Sequence, residues 1–217
     1  MSIPLHLFPH LFGALALSAL LFWLVLTAPC GRQLYAALMF LAGNVCCFLL
    51  SFVMHQQAAV HGTVSKRLLR LDYLGIFVHI WCSSTSVIYG SDTALWTRSR
   101  PISIVHALVT VAVAVSVCRC DFVLRKRSRI KLLAAYGAFA LVTALFPYEP
   151  YRSPLCVPFA MMVGLNSLGG LLYSIDPDDH DYRAGSRCMH VLSLLGSLSY
   201  AYKSASLVYN SPLIPTF

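Results

Sequence analysis

Charge is what this 217-residue chain has least of. Charged residues make up 11% of it, against about 25% in a soluble domain, and only eight residues are acidic. Hydrophobic types reach 58%. A soluble core of this length cannot hide that much apolar surface, and the same figures exclude a disordered chain, a collagen and a disulfide-stapled miniprotein. The eight cysteines fall in no zinc-finger spacing. No internal repeat or low-complexity tract interrupts the chain. No Lys or Arg precedes Leu11, and Pro29 stands where a signal peptidase would cut. The first apolar segment therefore reads as a membrane span rather than a signal peptide. What remains is a polytopic membrane protein. Its net charge of +8 then concerns loop orientation and lipid headgroups, not nucleic acid.

A transmembrane helix needs about 20 mostly apolar residues. Seven segments qualify, at about residues 9–28, 34–55, 71–90, 102–118, 130–146, 157–174 and 188–209. The breaks between them are short and polar or carry Pro and Gly, as at Pro29 and Gly31, Ser99 to Pro101, Pro147 to Pro150, and Asp176 to Asp179. Short breaks predict one all-α bundle of seven membrane helices over residues 1–217. The basic residues orient it. Lys66, Arg67, Arg70, Arg119, Arg125, Lys126, Arg127, Arg129, Lys131, Arg183 and Arg187 fall on one side. Arg32, Arg98, Arg100, Arg152 and Lys203 fall on the other. Positive-inside then places the N-terminus in the cytoplasm and the C-terminus outside or in a lumen. The run from Arg125 to Lys131 is either a topology anchor on anionic lipid or a docking site for a partner.

The cysteines add little. Cys46, Cys47, Cys82 and Cys188 read as small membrane-packed hydrophobes. Cys30 and Cys156 share the outer side, where a disulfide can survive. Cys118 and Cys120 lie at an inner helix end suited to palmitoylation.

Ionisable residues inside membrane spans are costly and so are functional candidates by default. Of the acids, only Asp72 touches a span. It opens the third at its cytoplasmic end, where His55 closes the second and His190 opens the seventh. Span order alone brings these three to one depth. Ser51 precedes His55 by four residues and Ser186 precedes His190 by four, so each pair shares a helix face. Two imidazoles and a carboxylate can bind zinc, and zinc with three protein ligands and an open position is a hydrolytic arrangement. The alternative is structural: His tips in the headgroup layer, and Asp72 pairing with Arg70 or His190 or capping its helix. His79 reads as an interhelical hydrogen-bonder, and His6, His10, His61, His106 and His180 as loop or interface residues, with His180 the reserve for a third imidazole. Ser83, Ser84, Thr85 and Ser86 bond neighbouring helices or backbone, or line a polar cavity. Gly164, Gly169 and Gly170 with Ser167 allow the sixth helix to pack closely.

The stretch Ser51-Phe52-Val53-Met54-His55, followed sixteen residues on by Leu71-Asp72-Tyr73-Leu74-Gly75-Ile76, resembles the progestin and adipoQ receptor (PAQR)/hemolysin III family. Its second and third helices carry S-x-x-x-H and D-Y-x-G-I. The serines between Cys82 and Tyr89 match the polar run that follows there, and Gly185-Ser186-Arg187-Cys188-Met189-His190 is similar to the seventh-helix motif S-H-x-x-x-H. Residues 4–12 resemble the start of helix one, without its acidic residue and asparagines. The resemblance implies seven helices with a cytoplasmic N-terminus. It implies zinc held by the helix-two His and two helix-seven His, with the helix-three Asp linked through a water. Here that means His55, His190 and Asp72 at the metal, and Asp72 with Ser51 at the chemistry. Ser186 stands where the first helix-seven His is expected, and His180, Asp72 or a water would complete the shell.

Two functions follow from the resemblance. One is a receptor-type membrane protein sensing a lipid, a steroid or an adipokine-like hormone. The other is a zinc amidohydrolase acting on a ceramide-like lipid. Both sit in the plasma membrane or an endomembrane such as Golgi or ER, among membrane lipids. A third is a member without metal that serves a structural or regulatory role.

Overall fold

The structure, a computed structural model, describes residues 7–62, 65–90, 93–119, 125–145, 154–175 and 184–210, the side chains of residues 93–100 aside. Among them run seven helices and no strand: α1 Phe8–Thr27, α2 Arg32–His61, α3 Lys66–Tyr89, α4 Thr93–Arg119, α5 Lys126–Leu145, α6 Cys156–Ile175 and α7 Ala184–Asn210. Local chemistry sets several ends. Pro9 lies in the first turn of α1, where its missing N–H is no loss. Ser65 caps α3, its Oγ accepting from the Leu68 N–H at 3.2 Å. Gly62 ends α2 with φ 68°, a left-handed conformation that a side chain would strain. α4 runs through Pro101 instead of starting after it. Proline removes one backbone bond, and apolar helices tolerate that where neighbours satisfy the freed carbonyl.

Six helices, α1 to α6, are long and apolar enough to cross a membrane. Their outer faces fit such a medium: Leu15, Phe22, Leu108 and Ile175 are each more than 60% exposed, a belt that water would not tolerate. α7 has 27 residues, or about 40 Å at ~1.5 Å per residue. It is more polar because Ser186, His190, Ser197, Tyr200 and Ser204 all point inward and are buried.

α2 packs against α1 and α3, and α7 packs against α6. α1, α2 and α7 are also mutual neighbours, so they form a three-helix corner. α4 and α5 lean on α3. One apolar core, around Leu17, Phe40, Phe159 and Tyr200, joins α1, α2, α6 and α7. A second, around Tyr73, Phe77, Val117 and Tyr136, joins α3, α4 and α5.

Gly43 and Gly169 each sit at a close helix crossing. A Cβ on Gly43 of α2 would lie 2.5 Å from the Cys82 Cβ of α3. One on Gly169 of α6 would lie 3.0 Å from the Met189 Cα of α7. Gly164 and Gly170 have nothing within 4 Å, so of the three sixth-helix glycines only Gly169 brings helices together. Gly43→Ala must therefore push α2 from α3, and we expect it to destabilise the bundle by about 1–3 kcal/mol. Gly164→Ala should stay within about 0.5 kcal/mol of the parent. Thermal unfolding in detergent micelles checks both.

The serine run of α3 bonds its surroundings. Ser84 Oγ donates to the Ile80 carbonyl at 2.9 Å and meets His106 Nδ1 at 3.2 Å. Ser86 Oγ lies 3.1 Å from the Tyr200 hydroxyl. His79 pairs with Ser83, 3.3 Å away on its own helix, rather than across helices. His106 is not an interface residue. It is fully buried in α4 and also meets the Tyr136 hydroxyl at 3.3 Å. None of the seven described cysteines, Cys30 and Cys156 among them, is in a disulfide, and Cys188 is exposed.

Candidate metal centre

At one end of the α1–α2–α7 corner three imidazoles meet. His10 is in the first turn of α1, His55 in the last turns of α2 and His190 in the second turn of α7. α1 and α7 enter the bundle at this end and α2 leaves it, so three helices present histidine at one level. The ring centroids of His10 and His55 lie 4.7 Å apart, those of His10 and His190 4.3 Å, and those of His55 and His190 5.0 Å. One ring nitrogen from each lies within 4.8 Å of the others. All three side chains are buried or at its margin.

The donor set fits a borderline divalent ion. Three imidazoles at about 2.0–2.1 Å from zinc would set their nitrogens about 3.3 Å apart. A modest inward turn of the rings reaches that from the spacing here. Imidazole also suits copper, iron and nickel, while the absence of a thiolate from the cluster disfavours soft-ligand clusters.

The surroundings combine short hydroxyl side chains with one aromatic ring. Ser186 Oγ lies 3.4 Å from His190 Nε2, one turn away and buried. Ser51 is buried one turn before His55. The Phe48 ring stands 6.4 Å from His10. Asp72 is buried on α3, which packs along α2, and is not one of the three clustered residues.

The sequence therefore paired His55 with His190 and the structure brings them together. It missed His10, which is buried in α1 and not a loop or interface residue. The signal was available: the depth rule that aligned His55, Asp72 and His190 applies equally to a histidine at the start of the first span. His61 is exposed in the last turn of α2 and so is helical, not in a loop. His6, His180 and Cys120 lie outside the described residues.

No curated protein matches this chain. A family model for haemolysin-III related proteins does, over residues 3–201, nearly its whole length. With six helices apolar enough to cross a bilayer, the chain is an integral multi-pass membrane protein, and it belongs to the haemolysin-III related family.

Proposed function

We propose that this protein is a seven-span membrane hydrolase that holds zinc at its inner face and cleaves a lipid amide of the ceramide type. The observation that supports this most is the buried imidazole trio on three helices. Three protein ligands leave a fourth position open, which is the pattern of catalytic rather than structural zinc. On this reading all seven helices span, residues 1–217 form one unit, and the N-terminus is cytoplasmic. The compartment is the plasma membrane or Golgi/ER.

His55 and His190 would be two of the three protein ligands that hold the ion. When bound, zinc supplies an acidified water and a Lewis acid for a carbonyl oxygen. The Asp72 carboxylate accepts the proton of the attacking water and returns it to the amide nitrogen as the C–N bond breaks. Ser51 is buried one turn before His55 on the same helix, beside the ligand it precedes. Burial under apolar side chains such as Phe48 keeps these charges in a low dielectric, where each interaction counts for more.

Ser186 favours a second reading. The family pattern expects histidine there, and a receptor that senses a lipid, steroid or adipokine-like hormone keeps its bundle with a weakened metal site, whereas a hydrolase does not. Purified protein in micelles separates the two. Elemental analysis should find about one zinc per chain, and a C₁₆ ceramide should release fatty acid and sphingoid base. Zinc without turnover moves the assignment to the receptor. A zinc-free parent that stays empty when zinc is added sinks the hydrolase.

A further inference from the structure

We infer that α1 supplies a metal ligand, His10, in place of the imidazole that α7 lacks at Ser186; this rests on the reading that the centre holds zinc. Position 186 lies one turn before His190 on the same face, and its Oγ sits 3.4 Å from His190 Nε2. A histidine there would project toward the same point. The serine that replaces it is short and buried, and a hydroxyl is a poor zinc ligand beside imidazole.

The third imidazole comes from another helix. The His10 ring lies 4.3 Å from that of His190 and 4.7 Å from that of His55, closer to each than they are to one another. His10 is the one ionisable residue in α1, and it sits on that helix's buried stripe with Gly13, Ala14 and Leu17. Gly13 explains how the ring reaches. One turn deeper, a Cβ there would come within 3.0 Å of Phe48 and 3.1 Å of Leu194. α1 is thus drawn against α2 and α7 at the level where His10 must meet them. The ligand count stays at three imidazoles, but the ion now ties α1 into the corner as well as α2 to α7.

The test is second-site rescue. Zinc affinity is measured by competition with a chromogenic chelator, and cobalt(II) spectra report ligand number, on the parent, His10→Ala, Ser186→His and the double variant. Loss of a direct ligand should exceed the 10–100-fold cost typical of a residue that only supports one. We expect His10→Ala to weaken zinc by at least about 100-fold and the double variant to return within about 10-fold of the parent. Ser186→His alone should bind tighter and intensify the cobalt bands toward a four-ligand site. Parent affinity in His10→Ala, with affinity lost in His55→Ala, overturns the inference and leaves the zinc reading intact. No rescue by Ser186→His overturns the replacement. A parent that never binds zinc overturns both. Should His10→Ala fail to fold, cobalt-loaded His10→Gln decides: bands unchanged from the parent sink the proposal.

Discussion

His190→Ala should empty the metal centre and abolish turnover together. Removing one of three imidazoles leaves two, and affinity falls by more than the 10–100-fold seen for supporting residues. At micromolar zinc the variant should purify with little metal, read by elemental analysis. Stability reports the same event independently. A ligand that binds only the folded state adds about 2.7 kcal/mol at a hundred times its Kd. Added zinc should therefore raise the parent's unfolding midpoint and leave that of His190→Ala unmoved. His190 stands on α7 with buried Ser186 beside it, so alanine removes a ring from a polar corner rather than from the apolar core around Tyr200. The metal-free fold should survive, and a chain that unfolds outright would instead point to a structural role for the ring. Equal zinc content in variant and parent would remove His190 from the centre.

Six of the helices were legible because each holds a long apolar run, and a run of that length announces itself without packing. Helix ends were less so: Pro101 looked like a boundary, yet α4 continues through it, since a bilayer-type helix absorbs one missing bond. The centre was half legible. Depth follows from span order, which is why His55 and His190 aligned on the page. Rotation does not. Which face α1 turns inward is set by the close approach of Gly13 to Phe48 and Leu194, a contact between segments far apart in the chain. His106 was missed for the same reason: its partners, Ser84 and Tyr136, come from other helices. His79 shows the converse, a buried histidine satisfied by its own helix through Ser83. α7 falls short of the apolar length that marks the other six helices because five of its polar side chains face inward.

Asp72→Asn should separate binding from chemistry. Asparagine keeps the size and the hydrogen-bonding edge of aspartate but cannot take a proton at neutral pH. Positioned general acid–base groups contribute about 10²–10⁴-fold, so ceramide turnover should fall by that factor while zinc content stays at the parent level. Asp72 is buried on α3 outside the imidazole trio, which is where a proton carrier belongs if it acts on the water and not on the ion. Ser51→Ala, one turn before His55 and also buried, should lose less than about 10-fold. Two outcomes would redraw the site. If zinc leaves with Asp72→Asn, the carboxylate is itself a ligand and the trio is not the whole shell. If the zinc-loaded variant turns over at the parent rate, Asp72 has no part in moving the proton, and the acid on α3 serves only the packing of α3 against α2.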